Sequence, residues 1–260
     1  MRVATWCVGG LDSRLEYICH WLARRKPDLV AFQKTFVATG NAPVEALRRA
    51  GYESVFYSRD GEYRNGWGVA VLCRMPRAKP TIVQEGLPGQ SDRSARFLTV
   101  RSGDLEFSSV YAPYGNPRKN GFDGALERKI EWMNHLVDHL GMHRERAEQR
   151  VLAGDFNVVT EGKARPRTLN HTRAERDALA RVMELGFVDL HRHRHPEGDN
   201  GYNGFDTSKP VTSRLHRVLG TDAVVRRVRK TWVDLEYRRP IEGLTSSRWP
   251  QGAPVIVDLR

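Results

Sequence analysis

The chain has 260 residues, with 42 Lys+Arg against 31 Asp+Glu, a formal net charge of +11 and 40% apolar residues. This mix excludes a disordered, collagen-like, coiled-coil or mucin-like chain. No apolar run approaches the roughly 18 residues of a membrane span, and Met1-Arg2-Val3 runs straight into a strand-like segment, so no signal peptide is expected. The positive excess suits a polyanionic partner but does not bear on fold. Cys7, Cys19 and Cys73 stand far apart with no CxxC pair, which reads as three reduced thiols rather than a disulfide framework or a structural zinc site.

Strands and helices alternate along the chain. Arg2–Val8 reads as a strand ending at Gly9-Gly10. Arg14–Arg25 places Leu15, Ile18, Trp21 and Leu22 on one helical face before Pro27-Asp28 stops it. Leu29–Gln33 is a short buried strand, as in a βαβ unit. Pro43–Ala50 reads as a short helix closed by Gly51. Strands are expected at Val55–Tyr57, Gly68–Leu72, Ile82–Val83, Ala95–Val100 and Leu105–Tyr111, then a long amphipathic helix over Phe122–Leu140. Arg150–Ala153 is a buried strand leading into Gly154-Asp155-Phe156-Asn157. Arg173–Leu185 is a helix capped by Gly186, and strands follow near Leu215–Leu219, Ala223–Val228 and Val255–Leu259. No linker or composition break divides the chain, so residues 1–260 read as one domain. The strand–helix–strand run of Arg2–Gln33 is echoed from Arg150 to Leu190, which suggests two packed sheets with helices outside.

Four segments point to one family. RVATWCVGGLDSRLEYICHWLARRKPDLVAFQKT (residues 2–35) resembles the opening of exonuclease III-type AP endonucleases, TWNVNGIRSRL…WL…PDVVCLQET. SSVYAPYGNP (108–117) resembles SVYVPNGNP, VLAGDFNVV (151–159) resembles VLAGDFNVAP, and APVIVDL (253–259) resembles the end of SDHAPVIVDL. A lone GDFN is a weak signal, but four segments in the family's order across the whole chain are specific. The resemblance implies an α/β fold, the four-layer αββα sandwich of two mixed β-sheets flanked by helices that marks the endonuclease/exonuclease/phosphatase superfamily. It also implies magnesium-dependent phosphodiester cleavage in DNA repair. Such chemistry needs hard oxygen ligands for the metal, a positioned base for the attacking water, and donors for the developing charge.

Residue by residue, Tyr111, Asp155 and Asn157 fall on the family's tyrosine and on GDFN and are retained. Five positions depart. Cys7 replaces the asparagine of TWN, and Lys34 the glutamate of QET. His216, in SRLHRVL, replaces the aspartate of a motif near R-I-D. Gln251-Gly252 replace the Asp-His pair before Ala-Pro. A lysine at position 34 cannot ligate magnesium while protonated. Its charge opposes the ion by on the order of 4 kcal/mol per unit charge at about 4 Å and an effective dielectric of 20. The Lys34 ammonium is therefore expected to stand in for the metal and pair with Asp155, with no cofactor bound. Losing a general base costs about 10²–10⁴-fold in rate, and losing base and metal together removes hydrolysis, because such groups act as a unit. Three rescues have little weight: the His191–His195 run, one-sided only if extended, His216 as a replacement base, and Cys7 as a nucleophile with its pKa lowered by Lys34.

The basic surface suggests what remains. Asn116, Arg118, Lys119 and Asn120 follow Tyr111 where a phosphate-contacting loop is expected. Arg226, Arg227, Arg229 and Lys230 form a further cluster, and Tyr202, Phe205 and Trp249 are candidates for packing on sugar or base. Arg24-Arg25-Lys26 reads as a solvated face. The sequence thus favours a pseudoenzyme that binds DNA at ends, abasic or damaged sites, a monomer in the cytoplasm, nucleoid-associated in a bacterium, with a repair protein as partner. The alternatives are an active nuclease or phosphoesterase with a rebuilt site, resting on Tyr111, Asp155 and Asn157, and a protein-binding module.

Overall fold

The structure, a computed structural model, describes the chain apart from residues 38–42, 59–67, 75–78, 91–94, 116–123, 162–170, 198–200, 202, 204–212, 247 and 251. The first sheet is built from β1 (Arg2–Cys7), β2 (Leu29–Gln33), β3 (Ser54–Ser58), β4 (Val69–Cys73), β11 (Val228–Val233) and β12 (Val255–Leu259), in the order β11-β12-β1-β2-β4-β3. The second holds β5 (Thr81–Glu85), β6 (Phe97–Ser102), β7 (Leu105–Tyr111), β8 (Gln149–Asp155), β9 (Val188–Asp189) and β10 (His216–Gly220), in the order β5-β6-β7-β8-β10-β9. Both sheets are mixed: β1–β2 and β7–β8 are parallel, their other pairs antiparallel.

Period-2 alternation sorts the side chains into layers. Along β1, Val3 faces the other sheet and packs with Ala31, Leu98, Phe107, Val151 and Val257. Its neighbours Ala4 and Trp6 face outward onto Ile18, Trp21 and Leu22 of α1 (Leu15–Arg25). On the second sheet, Val110 and Leu152 turn outward beneath Trp132, Met133 and Leu136 of α3 (Ala125–Met142) and Leu179 and Val182 of α4 (Arg173–Glu184). The result is the four-layer αββα sandwich. A capping box starts α4, with Thr172 Oγ1 accepting from the Glu175 amide and the Glu175 carboxylate accepting from the Thr172 amide.

Three expectations are corrected. Residues 223–228 do not form a strand: Asp222–Val225 is a short helix, α6, after α2 (Val44–Arg49) and α5 (Leu190–Arg194) in chain order, and the strand starts at Val228. The apolar run Ala223–Val225 is short enough to suit either state, and Thr221-Asp222 favours a helix start. The His191–His195 run is not extended: Asp189 caps α5 (Leu190–Arg194), its carboxylate accepting from the Arg192 amide at 3.1 Å, so the three imidazoles do not share one side. The internal echo falls one strand earlier than expected. The second parallel crossover is β7–α3–β8, whereas β9 pairs with β10.

Candidate functional site

The two parallel crossovers bring the same edge of the sandwich together. β1 ends in Cys7, β2 is followed by Lys34, β7 ends in Tyr111 and β8 in Asp155. A polar link ties the sheets just beneath: Gln33 Nε2 donates to Ser109 Oγ at 3.1 Å, Ser109 Oγ to the Phe32 carbonyl at 3.1 Å, and Thr5 Oγ1 to Gln33 Oε1 at 3.0 Å. Gly154 is required where β8 pairs with β7, since a Cβ there would lie 1.9 Å from the Val110 carbonyl oxygen.

Asp155 is fully buried and its carboxylate is divided between two tasks. Oδ1 accepts from the Asn157 amide at 3.0 Å, and Oδ2 lies 3.3 Å from Lys34 Nζ. Burial works against the Lys34 ammonium, but the surrounding Cys7, Asp155 and Tyr111 hold its pKa above the ordinary lysine value. Lys34 and Asn157 both adopt left-handed backbone, at φ +55° and +51°. That region is uncommon for non-glycine residues, and lysine lacks the local bonding that eases asparagine into it. Strain of this kind persists where the surroundings over-determine it, often at functional sites. The Asn157 side chain is spent on structure: its Nδ2 donates to the Ala112 carbonyl at 2.8 Å, and the Ala112 amide donates to the Asp155 carbonyl at 2.8 Å. Asn157 thus staples the strand ends that carry Tyr111 and Asp155.

Tyr111 is buried with two cations on its ring, Arg96 at 4.6 Å and Lys34 at 5.2 Å from the centroid. Burial outweighs both cations and pushes its hydroxyl up to about 12. Burial likewise raises the Cys7 thiol well above its ordinary value, beyond what Lys34 offsets. The expected lowering of the Cys7 pKa is therefore corrected; this is an inert thiol at neutral pH. His216 Nε2 lies 3.8 Å from Asp155 Oδ2, but burial, aided by Lys34 and Arg217, overrides Asp155 and lowers its pKa to about 4. The imidazole is therefore neutral at pH 7. Gly252 is bound up with it: a Cβ at 252 would meet His216 Cε1 at 2.6 Å and the Cys7 carbonyl at 3.2 Å. The ring on β10 fills the space beside 252, so these two departures form one packing unit.

Cys7, Asp155 and His216 are the only convergent trio of His, Cys, Asp or Glu among the described residues. The set does not fit magnesium. It offers one carboxylate, already paired with an ammonium, beside a thiol and an imidazole, where the hard ion needs oxygen ligands.

The chain matches the Endonuclease/Exonuclease/phosphatase family over residues 5–248. It belongs to that family. Among its relatives are recombination repair protein 1 of Drosophila melanogaster, 25% identical over 210 residues, covering 78% of this chain and 29% of that protein. The DNA-(apurinic or apyrimidinic site) endonuclease of Dictyostelium discoideum is 24% identical over 229 residues, covering 83% of this chain and 61% of that protein. The exodeoxyribonuclease of Bacillus subtilis is 23% identical over 214 residues, with 78% and 79% covered. The chain thus spans less than two thirds of the first two. The same fold recurs in an AP endonuclease from Archaeoglobus fulgidus (TM-score 0.84, 22% identity, 100% of this chain and 99% of that one). It recurs also in a 3′ phosphatase from Neisseria bound to product DNA hairpin (TM-score 0.84, 24% identity, the same coverage).

The structure gathers Cys7, Lys34, Tyr111, Asp155, Asn157, His216 and Gly252 into this family member's pocket. Gln251, Asn116, Arg118, Lys119, Asn120, Tyr202 and Phe205 lie outside the described residues. Trp249 is half-buried against the first sheet's outer core, and its carbonyl accepts from Arg14 Nε at 3.1 Å; Arg14 also donates to the Gly9 carbonyl just beyond Cys7. Arg226, Arg227, Arg229 and Lys230, read from the sequence as a DNA-binding cluster, stand away from the pocket. Lys230 pairs with Asp258, and Asp258 with Arg2, at the far end of β1 from Cys7. Arg226 and Arg227 stand at the same end, bonded to Asp222 and Arg260. The antiparallel path of β11 along β12 carries all four away from the site.

Sequence reading missed Arg14, Arg96 and a buried ion pair behind the site. Lys129 Nζ donates to Glu175 Oε1 at 2.6 Å and to the Asn157 carbonyl, with both side chains inaccessible to solvent. Burial lowers the Lys129 pKa against the pull of Glu175. The signal was available: Lys129 sits on the Ala125–Trp132–Met133–Leu136 stripe, where a lysine breaks an apolar face. Arg96 follows no pattern that marks it.

Proposed function

We propose that this family member binds DNA at ends, abasic or damaged sites without metal-dependent cleavage. The observation that carries the reading is the Lys34 ammonium 3.3 Å from Asp155 Oδ2, only 16% exposed. A divalent ion entering there must displace or face a fixed positive charge, and its carboxylate partner is already engaged. Among the described residues the carboxylate beside the neutral His216 imidazole is Asp155, and it is committed to Lys34 and Asn157 rather than to orienting a base. Retention of Asp155 and Asn157 favours an active enzyme only if chemistry alone explains it, and their bonds to each other and to Ala112 give a structural reason. Lys34 and Arg96 on the Tyr111 ring, with Arg14 bonded to the Gly9 carbonyl just beyond Cys7, gather positive charge around the site that a phosphate can use without a metal.

The test pairs two gels on one abasic-site duplex. A native gel is expected to show a shift at about 50 mM salt that fades by about 200 mM as counterion release predicts. A denaturing gel with magnesium or manganese is expected to show no more product than with EDTA. Metal-dependent product above that background would overturn the reading, and no shift at low salt would remove DNA binding.

A further inference from the structure

The cations that fall away from the catalytic end gather around a second cavity. It has a volume of about 600 Å³ and opens where β1, β11 and β12 meet the end of α1. Five residue steps along β1 separate its Arg2 from Cys7, roughly 17 Å at 3.3 Å per residue. Arg2, Arg24, Arg25, Lys26, Arg229 and Lys230 line it, against Asp28 and Asp258.

The wall is held rigid from within. Arg2 donates to both Asp258 oxygens, at 2.7 and 3.1 Å, and to the Arg25 carbonyl at 2.5 Å. Arg2 and Lys230 each stand 5.1 Å from the Trp232 ring centroid, so one indole props two cations. Arg24 is paired with Glu236, and Arg25 with Asp234 and Glu236. Lys26, the left-handed C-cap of α1 at φ +49°, is turned to the rim by the helix end. Among the described residues, Lys26, Arg229 and Lys230 make no ion pair within 4 Å, although Lys230 stands opposite Asp258 in the sheet, where Asp258 is held by Arg2.

Six cations against two carboxylates leave the cavity wall with an excess of positive charge, three of those cations having no close ion-pair partner, and a multiply charged anion relieves their mutual repulsion. Because Arg2 and Trp232 are already fixed, little ordering is needed on binding. The volume falls in the range of about 300–1,000 Å³ usual for small-ligand sites, and the cations converge on this one open depression, as a compact anion requires. We infer that this pocket binds a compact oligophosphate, a run of adjacent phosphates such as free triphosphate or the 5′-triphosphate end of a nucleic-acid strand. The inference stands apart from the reading of the catalytic end.

Calorimetry on the full chain with inorganic tripolyphosphate tests it. One equivalent is expected to bind. The exposed triple variant Lys26→Ser/Arg229→Ser/Lys230→Ser is expected to weaken it at least about tenfold, while a charge-matched variant elsewhere, Arg48→Ser/Arg49→Ser/Arg144→Ser, leaves it within about twofold. A 5′-triphosphorylated oligonucleotide that outcompetes tripolyphosphate identifies a strand end as the source, and equal competition a free anion. Absence of binding, equal weakening by both variants, or a 5′-hydroxyl oligonucleotide binding as tightly as the triphosphorylated one would overturn the proposal.

Discussion

The two parallel crossovers, β1–α1–β2 and β7–α3–β8, deliver side chains to one pocket from opposite sheets, but their contributions have diverged. The second supplies Tyr111, Asp155 and, just beyond, Asn157, all in agreement with the family motifs. The first supplies Cys7 and Lys34, and its neighbouring strand β12 is preceded by Gly252, all of them departures. The retained half is also the interlocked half: Asp155, Asn157 and Ala112 hold one another, and Gly154 lets the strands meet. Asp155 and Asn157 therefore have a place in the fold's own bonding, whereas Lys34 meets the pocket through its ion pair with Asp155.

The largest effect is expected from breaking the interlocked half. Gly154→Ala sets a Cβ 1.9 Å from backbone oxygen, which no side-chain rotation relieves. It is expected to destabilise the chain by at least about 4 kcal/mol or abolish soluble folding. In the first half, Gln33→Ala loses bonds to Thr5 and Ser109 and is expected to cost only about 1–3 kcal/mol. Urea unfolding of the two variants measures the contrast; equal losses would dissolve it.

Next in size is the pair that joins the halves. Lys34→Met leaves the Asp155 carboxylate buried without its ammonium, and Asp155→Asn leaves the ammonium without its carboxylate. Each is expected to cost about 3–5 kcal/mol, and the double variant much less than the sum. A double-mutant cycle in urea reads the coupling; additive losses would show the two charges to be independent.

Much of this pocket was legible because its residues sit in ordered motifs at strand ends, where short-range spacing carries the information. Lys34 beside Asp155 followed from the resemblance, which puts both positions at one site, and from their opposite charges. The reciprocity of His216 and Gly252 was not legible, since 36 residues of chain separate them and only the fold shows the ring filling the space beside a missing Cβ. The position of the Arg226–Lys230 cluster was not legible either, because the direction in which β11 runs is a tertiary fact, invisible in a list of basic residues. The strand–helix exchange at 222–233 failed for a local reason: two short apolar stretches, Ala223–Val225 and Thr231–Val233, compete for one strand, and the tail's pairing with Val255–Asp258 selects the second.

A reversal of the departed half follows in size. Cys7→Asn/Lys34→Glu/His216→Asp/Gln251→Asp/Gly252→His removes the ammonium and offers added carboxylates beside Asp155. His216→Asp also vacates the space that a histidine at 252 needs. The quintuple variant is expected to gain on the order of 2–3 kcal/mol of stability when magnesium reaches about a hundred times its dissociation constant, and the parent chain none. Thermal melts with and without magnesium test this. A parent chain stabilised by magnesium would mean that Lys34 does not exclude the ion.

The smallest effect concerns pH and separates the pocket from the layer outside it. His216 in the pocket and His139 on α3 are both held near 4 by burial, against an ordinary value near 6.5. A histidine depressed in the folded state takes up its proton later than the unfolded chain does. The unfolded state therefore binds more protons between about pH 6.5 and 4, and stability rises with pH across that window and falls on acidification. Each histidine is expected to contribute on the order of 2 kcal/mol of that slope. Carboxylates held low by cations, such as Asp189 beside Arg214, lose their contribution only near and below the ordinary carboxylate range, so the upper part of the window belongs to the histidines. Urea midpoints at pH 7 and pH 5 for the parent, His216→Gln and His139→Leu divide the slope between them. The pocket histidine is expected to carry its full share, because Asp155 is already engaged by Lys34 and offers little to an imidazolium. An unchanged slope in His216→Gln would mean that Asp155 accepts the imidazolium after all, and that the ion pair with Lys34 is looser than 3.3 Å suggests.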